Sequence, residues 1–440
     1  MPEIRAFRAL RYSPEVVPDL ARVVAPPYDV ISPARRAELA GRDARNVVAI
    51  DLPVDAGAAD PDEKYRKAAR TFAAWRSDGT LRKDRQPSLY VYEQVFTVPG
   101  TAVRRVQRSF YGRLRLEAFG PGAGVLPHER TLAGPKEDRH KLMRATGANF
   151  SGVVVLFADP SGTAGRLLAE ATEAAPVSDV TDDDGVRHRL WMVPDDGPTA
   201  PLVAGLREAA EREPVTIADG HHRYETALRY RDERRLTRSS EEDPAFDYLL
   251  ALFLDAGAEP LLVLPTHRVA RAVSSADGLV GAAASSGLFD VEPADRAFLV
   301  PAFEPAAQAP GGRGRIGLWT RSGGAVLTAR RDAFAPLLPR GGEALRRLDV
   351  TLLAVALERL CGIDRAATTT GGRVAFTKDA AEAITWVDER TDAADAAFLL
   401  DGTPADDIAA VAREGDVMPQ KSTYFYPKPV TGFVLNPFEW

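Results

Sequence analysis

The chain has one cysteine, six histidines and no excess of basic charge, and each shortage sets aside a class of protein. Cys361 cannot form an internal disulfide, and it ends the apolar helical run Leu352–Leu360, which predicts a buried structural thiol and a cytoplasmic compartment. With 56 Lys and Arg against 62 Asp and Glu, the net charge of −6 argues against broad nucleic-acid binding, which draws on a basic surplus. The opening MPEIRAFRALRY lacks the apolar core of a secretory signal, and no uncharged apolar run approaches the length of a membrane span, so a soluble chain with no membrane partner is expected. Walker A spacing is absent, as are a G-x-G-x-x-G following a strand and a G-x-S-x-G elbow. Internal repeats and low-complexity tails are absent too.

The 440 residues, 45% apolar and 27% charged, have the composition of a soluble globular protein of two or three domains. Apolar periodicity predicts strands at Asn46–Val54, Val153–Phe157, Tyr248–Leu254 and Leu261–Leu264, and a hairpin formed by Ser88–Val98 and Arg104–Leu116. It predicts helices at Pro61–Ser77, with Tyr65, Ala68, Phe72 and Trp75 on one face, and at Gly165–Ala174, Ala204–Arg212 and Leu345–Leu360. Pro26 and Pro27 should hold Tyr28 and Asp29 in an extended presentation. Gly314–Thr320 and Gly324–Thr328 read as a second hairpin turning at Gly323-Gly324. Ala302–Arg315, rich in Ala, Pro and Gly, reads as a surface loop. Arg373–Thr377, Ala380–Val387, Ala396–Leu400 and Asp406–Glu414 alternate strand and helix, the pattern of an α/β layer. The expected fold class is α/β with mixed sheets, divided near Val273–Ala276 into residues 1–275 and 276–440.

The chemistry concentrates around Val215–Ala227, VTIADGHHRYETA, which reads as strand, tight turn and helix. Such a junction presents backbone N–H groups and the positive end of a helix dipole, and Gly220 removes the side chain that would block an anion. Asp219-Gly220 is equally an ordinary turn with Asp219 as N-cap. Four of the six histidines, His128, His221, His222 and His267, lie in loops at strand ends, among polar neighbours: Glu129 with Thr131, Lys136 with Asp138 and Arg139, Arg223 with Glu225, Thr266 with Arg268, and Lys421 with Ser422 and Thr423. These cations and hydroxyls suit a phosphorylated small molecule. His221 and Glu225 share a helical face and, with His128, could hold a metal, but the spacing falls short of H-E-x-x-H and no metal-ligand set is assigned. Lys421–Thr423 also reads as a plain strand start.

Gly220-His221-His222-Arg223-Tyr224 resembles the phosphate-binding signature of the ParB/sulfiredoxin superfamily: Gly-Cys-His-Arg-Tyr in sulfiredoxins, Gly-Glu-Arg-Arg and an aromatic in ParB proteins, Asp-Gly-Thr-His-Arg in free-serine kinases. Asp219, Gly220, His222 and Arg223 match the kinase form, while His221 stands where sulfiredoxins carry their catalytic Cys, which rules out sulfinic-acid reduction. The ordered motifs PPYDVI, HERTLAGPKEDR, IADGHHRYETA, LPTHR and MPQKSTYFYPK resemble a bacterial and archaeal family of unknown function, often encoded beside serine-biosynthesis genes.

These resemblances imply a ParB/sulfiredoxin-like nucleotide-binding core with a C-terminal α/β region that contributes the Lys421–Thr423 loop. They imply a phosphotransferase that interconverts serine and O-phosphoserine, using ATP or ADP and Mg²⁺, or alternatively a ParB-like nucleotide-sensing regulator without catalysis. The candidate catalytic residues are Asp219, Glu129, Asp138 and His221. The candidate phosphate and nucleotide ligands are Gly220, His222, Arg223, Lys136, Arg139, His128, Lys421, Ser422 and Thr423. Lys136, Arg139, His222, Arg223 and Lys421 are expected to face one cleft.

Overall fold

The computed structural model describes the chain except residues 56, 58–59, 130–132, 238–241, 258–260, 306–313 and 370–371, and the side chains of 133–135, 365 and 369. Thr131 and most of the Ala302–Arg315 loop therefore lie outside the described residues.

The fold is mixed α/β. Its larger sheet has nine strands. They run in the order Val125–Leu126, Val215–Asp219, Val153–Phe157, Tyr248–Asp255, Arg104–Arg115, Ser88–Thr97, Arg187–Pro194 and Ser178–Thr181, with Ile4–Arg5 also pairing to Arg104–Arg115. Val215–Asp219 is parallel to Val125–Leu126 and antiparallel to Val153–Phe157. Alternation along the central strands divides the core. Val153, Val155, Leu249, Ala251 and Phe253 pack with Leu168, Leu206, Tyr224 and Ala227 of the covering helices. Val154, Leu156, Leu250, Leu252 and Leu254 face the opposite way, into a core shared with Phe425, Val430 and Phe433 near the C-terminus.

The second sheet is antiparallel and six-stranded, in the order Phe289–Ala294, Gly323–Ala329, Arg315–Thr320, Ala394–Leu399, His267–Arg271 and Val374–Thr377. Its strand His267–Arg271 comes from before residue 276. The last residues of the chain return to the first sheet's side: Leu435 bridges Leu10, Thr431 bridges Ala25, and Asn436–Pro437 pairs with Ala148–Asn149. Buried Arg113 fastens this return by donating to Asn436 Oδ1 and the Pro437 carbonyl, each at 2.8 Å.

Several local expectations are corrected. Asn46–Val54 is not a strand: Val48–Asp51 forms a single helical turn. Asn46 precedes it in a side-chain turn, its Oδ1 accepting from Val48 N at 3.1 Å while its amide donates to the Arg22 carbonyl at 2.8 Å, and this local bonding overrides the β-branched run. Tyr28–Val30 is a 3₁₀ turn, with only Pro27 before it extended. The second hairpin turns at Arg321-Ser322, since Thr320 pairs with Gly323. Gly324 lies in the strand, where a Cβ would come within 2.6 Å of the Trp319 ring. The long C-terminal helix spans Asp349–Cys361, preceded by a separate turn at Glu343–Arg346. The strand–helix alternation after residue 373 feeds an antiparallel sheet, because Val374–Thr377 and Ala394–Leu399 both pair with His267–Arg271 between them.

Candidate functional site

Val215, Thr216, Ile217 and Ala218 are buried, and the helix His221–Thr237 starts one residue after the strand ends. The join is Gly220, at φ +96°, where a Cβ would stand 2.8 Å from Arg223 Nε. The Arg223 guanidinium therefore lies across the turn. It donates to Asp219 Oδ2 at 2.5 Å and to the Gly152 carbonyl. A shift of strand register between Ile217 and Asp219 turns Asp219 toward a second cation, Lys428, whose Nζ donates to Oδ1 at 2.6 Å. Burial opposes ionisation of Asp219, but the Lys428 ammonium and the Arg223 guanidinium hold its carboxyl well below the usual range. Two cations thus favour the ionised form of Asp219.

The two histidines beside it are neutral cross-links. His128 donates from Nδ1 to the Ile217 carbonyl at 2.5 Å and accepts at Nε2 from the Thr423 hydroxyl at 3.1 Å. Its backbone N–H donates to His221 Nε2 at 3.2 Å, and the two rings meet edge to face with centroids 4.6 Å apart. Burial pushes His128 down to about 4 and His221 well below its ordinary value.

Glu129 follows on the same segment and bridges Met418, whose N–H donates to the His128 carbonyl at 2.8 Å. Its Oε1 accepts from the Lys421 backbone N–H at 3.2 Å. Burial pushes this carboxyl up to about 7 despite the nearby Lys421 and Lys428 charges. Arg268 is buried close by, donating to the Thr266 carbonyl at 2.9 Å and the Lys421 carbonyl at 3.5 Å; burial lowers it to about 10, opposed by the Glu129 charge.

His222 is half-buried, and burial lowers its pKa in the combined field of Glu225, Lys136, Asp29 and Lys421. Lys136 pairs with Glu225 at 2.7 Å. Lys421 is exposed at φ +56°, while Ser422 is buried with its hydroxyl donating to the Pro419 carbonyl. Asp138 and Arg139 form an adjoining framework. Asp138 accepts from Lys64 at 2.8 Å, Tyr65 at 2.7 Å and Arg139 at 2.6 Å. Burial opposes its ionisation, yet these cations and the hydroxyl bring it down to about 2. Arg139 reaches the Asp51 carbonyl at 2.5 Å and lies 4.1 Å above the Tyr28 ring. The five sequence motifs thus contribute to one neighbourhood: Tyr28 and Asp29, His128 and Glu129, the Gly220 turn, Arg268, and Lys421 to Lys428.

Lys428 closes the motif MPQKSTYFYPK, between Pro427 and Pro429, and is not among the candidate site residues of the sequence. Among the described residues, no group of three or more His, Cys, Asp and Glu side chains is disposed to hold a metal ion, and no helix is long and apolar enough to cross a membrane.

Comparison with known proteins adds a family. The sequence model described as "Protein of unknown function (DUF1015)" matches residues 4–351. No curated protein matches the chain. Among solved structures, a free serine kinase in complex with AMP aligns at 10% identity and a TM-score of 0.34, covering 74% of this chain and 91% of that one. A conserved hypothetical protein from Pyrococcus furiosus aligns at 10% identity and a TM-score of 0.32, covering 69% and 90%. SbnI from Staphylococcus aureus, truncated at its C-terminus, aligns at 9% identity and a TM-score of 0.35, covering 71% and 83%.

Proposed function

The chain belongs to the DUF1015 family, and we propose that it is a nucleotide-dependent phosphotransferase acting on serine or O-phosphoserine, with Glu129 as its general base. The observation that carries this reading is the environment of Glu129: a carboxyl pushed up to about 7 by burial, bonded by the Lys421 backbone N–H and lying in the field of Lys421, Lys428 and the Asp219 that opens the glycine turn of a 17-residue helix. A base poised near neutrality can accept a hydroxyl proton and release it again, which a carboxylate held ionised by two cations does poorly.

In the kinase direction, Glu129 takes the proton of the serine hydroxyl as that oxygen attacks the terminal phosphorus of ATP or ADP, the bridging P–O bond breaks, and ADP or AMP leaves. The phosphoryl oxygens rest on the Gly220 turn, facing the helix N-terminus, with Lys136, Lys421 and His222 as donors. Asp219, Arg223 and Lys428 hold the turn in shape, and the neutral pair His128 and His221 ties it to the Lys421–Thr423 segment. Mg²⁺ would offset phosphate charge, held mainly by the nucleotide's own oxygens, with exposed Asp29 beside His222 as the protein carboxylate.

The test is to incubate the purified chain and Mg²⁺ with serine plus ATP or ADP, and with O-phosphoserine alone or with AMP or ADP, and to follow the phosphoserine signal by phosphorus NMR. Turnover in at least one mixture is expected. No turnover in any mixture, together with tight nucleotide binding that changes the oligomeric state, would replace the enzyme with the nucleotide-sensing regulator.

A further inference from the structure

A cavity of about 400 Å³ lies on the far side of the Asp219–Lys428 pair. It is bounded by Pro26 and Val30 of the PPYDVI loop, by the acidic turn Asp182–Asp184, and by Tyr424 and Lys428 of the C-terminal motif. Lys428 links the two places, because the ammonium that donates to Asp219 belongs to a side chain that also lines the cavity.

The lining describes its occupant. Val24, Pro26, Val186 and Val430 give apolar walls. The Tyr424 ring carries two ammonium groups, Lys378 Nζ at 3.8 Å and Lys428 Nζ at 4.6 Å from its centroid. Asp219 already answers the Lys428 charge, so Lys378, which feels the Lys428 charge and the weaker field of Asp184, is the cation an incoming anion would meet. The acidic turn is partly committed, with Asp183 paired to Arg42 at 2.9 Å and Asp182 to His188 at 2.9 Å. Asp184 is exposed, with its charge acting on both Lys378 and Tyr424. The site therefore offers apolar walls with an aromatic ring, a carboxylate that can accept from an amine, and paired cations leading toward the Gly220 turn. The volume falls in the range of about 300–1,000 Å³ usual for small-molecule sites and exceeds what an amino acid fills.

We infer that this cavity holds the nucleoside half of an adenine nucleotide, the base against Tyr424 and the phosphates running past Lys378 and Lys428 to the Gly220 turn. The inference rests on the nucleotide dependence proposed above and adds the binding residues Tyr424, Lys378 and Asp184. A nucleotide seated this way brings its terminal phosphate to Glu129, while serine approaches from the side of Lys421.

Calorimetric titration of the full chain with ADP, adenosine and inorganic pyrophosphate separates the two halves of the site. Val30→Trp should obstruct the cavity from an exposed rim position, weakening ADP and adenosine by about tenfold or more with pyrophosphate unchanged. Lys378→Ala, also at the exposed rim, should weaken ADP about tenfold and leave adenosine nearly unaffected. ADP binding equal to wild type in both variants overturns the inference, as does a wild-type chain that binds no ADP. Phosphoryl turnover that persists in Val30→Trp at unchanged ADP affinity removes the cavity and leaves the phosphotransferase. ADP held in the cavity with no turnover in any mixture does the reverse.

Discussion

Replacing Glu129 by Gln isolates the energetic consequence of the site carboxyl that burial pushes upward. Burial raises it from an ordinary 4.5 to about 7, so the folded chain binds this proton more tightly than the unfolded chain does. A raised pKa contributes stability that is fully present below the unfolded value and is lost as pH rises through the folded one. The wild type should therefore give up about 3 kcal/mol at this residue between about pH 4 and about pH 8, at about 1.4 kcal/mol per pH unit. Gln keeps the shape of the neutral acid and cannot ionise, and its Oε1 can still accept from the Lys421 N–H. Urea unfolding of both chains at the two pH values supplies the comparison, and most other titrating groups cancel in the difference. The Gln variant should gain on the wild type by about 3 kcal/mol at the higher pH and by almost nothing at the lower. A constant offset across the range would mean that Glu129 titrates as an ordinary solvated carboxylate, and its role as base would fall with it.

Gly220→Ala puts a methyl group 2.8 Å from Arg223 Nε at a left-handed φ, and should lower stability by about 1–3 kcal/mol in thermal melts; an unchanged midpoint would contradict the geometry of the turn. Arg223→Ala leaves half-buried Asp219 with Lys428 as its remaining cation and should cost about 1.5–3 kcal/mol in urea unfolding, whereas a loss under about 0.5 kcal/mol would show Asp219 to be solvated. His128, lowered to about 4 by burial, should keep neutral-imidazole nitrogen shifts from about pH 8 to about pH 5 in NMR, protonated at Nδ1. Its depressed pKa contributes stability above the ordinary histidine range that is lost as pH falls through about 4, and titration near 6.5 would refute the buried assignment.

The sequence exposed what depends on periodicity and local turn chemistry. Tyr65, Ala68, Phe72 and Trp75 recur at helical spacing and are all buried on one face of Glu63–Ser77. Val153–Phe157 and the Leu249–Leu254 stretch of Tyr248–Asp255 are apolar throughout, as expected of strands covered on both faces. The strand–Gly220–helix junction was legible because only a residue without a Cβ can sit under Arg223 at that φ. What stayed hidden depends on contacts distant in sequence. Asn46 turns the chain into the Val48–Asp51 helix while its amide is held by the Arg22 and Val24 carbonyls, more than 20 residues away. Lys428 looks like a lysine between prolines until the chain folds back 209 residues to Asp219. The difference between Asp219 and Glu129 was equally invisible, since each is a single acidic residue within two positions of a histidine. Two cations hold the first ionised, and burial raises the second despite the Lys421 backbone N–H that bonds it.

The claim that Glu129 accepts the substrate proton is tested most directly by comparing phosphoryl transfer in wild type, Glu129→Gln and Asp219→Asn by phosphorus NMR, at saturating nucleotide. Glu129→Gln should slow transfer by about a hundredfold or more while nucleotide affinity measured by calorimetry stays within about twofold. Asp219→Asn, which releases Arg223 and Lys428, should instead weaken nucleotide binding and lower stability together. Transfer by Glu129→Gln at the wild-type rate would contradict the account.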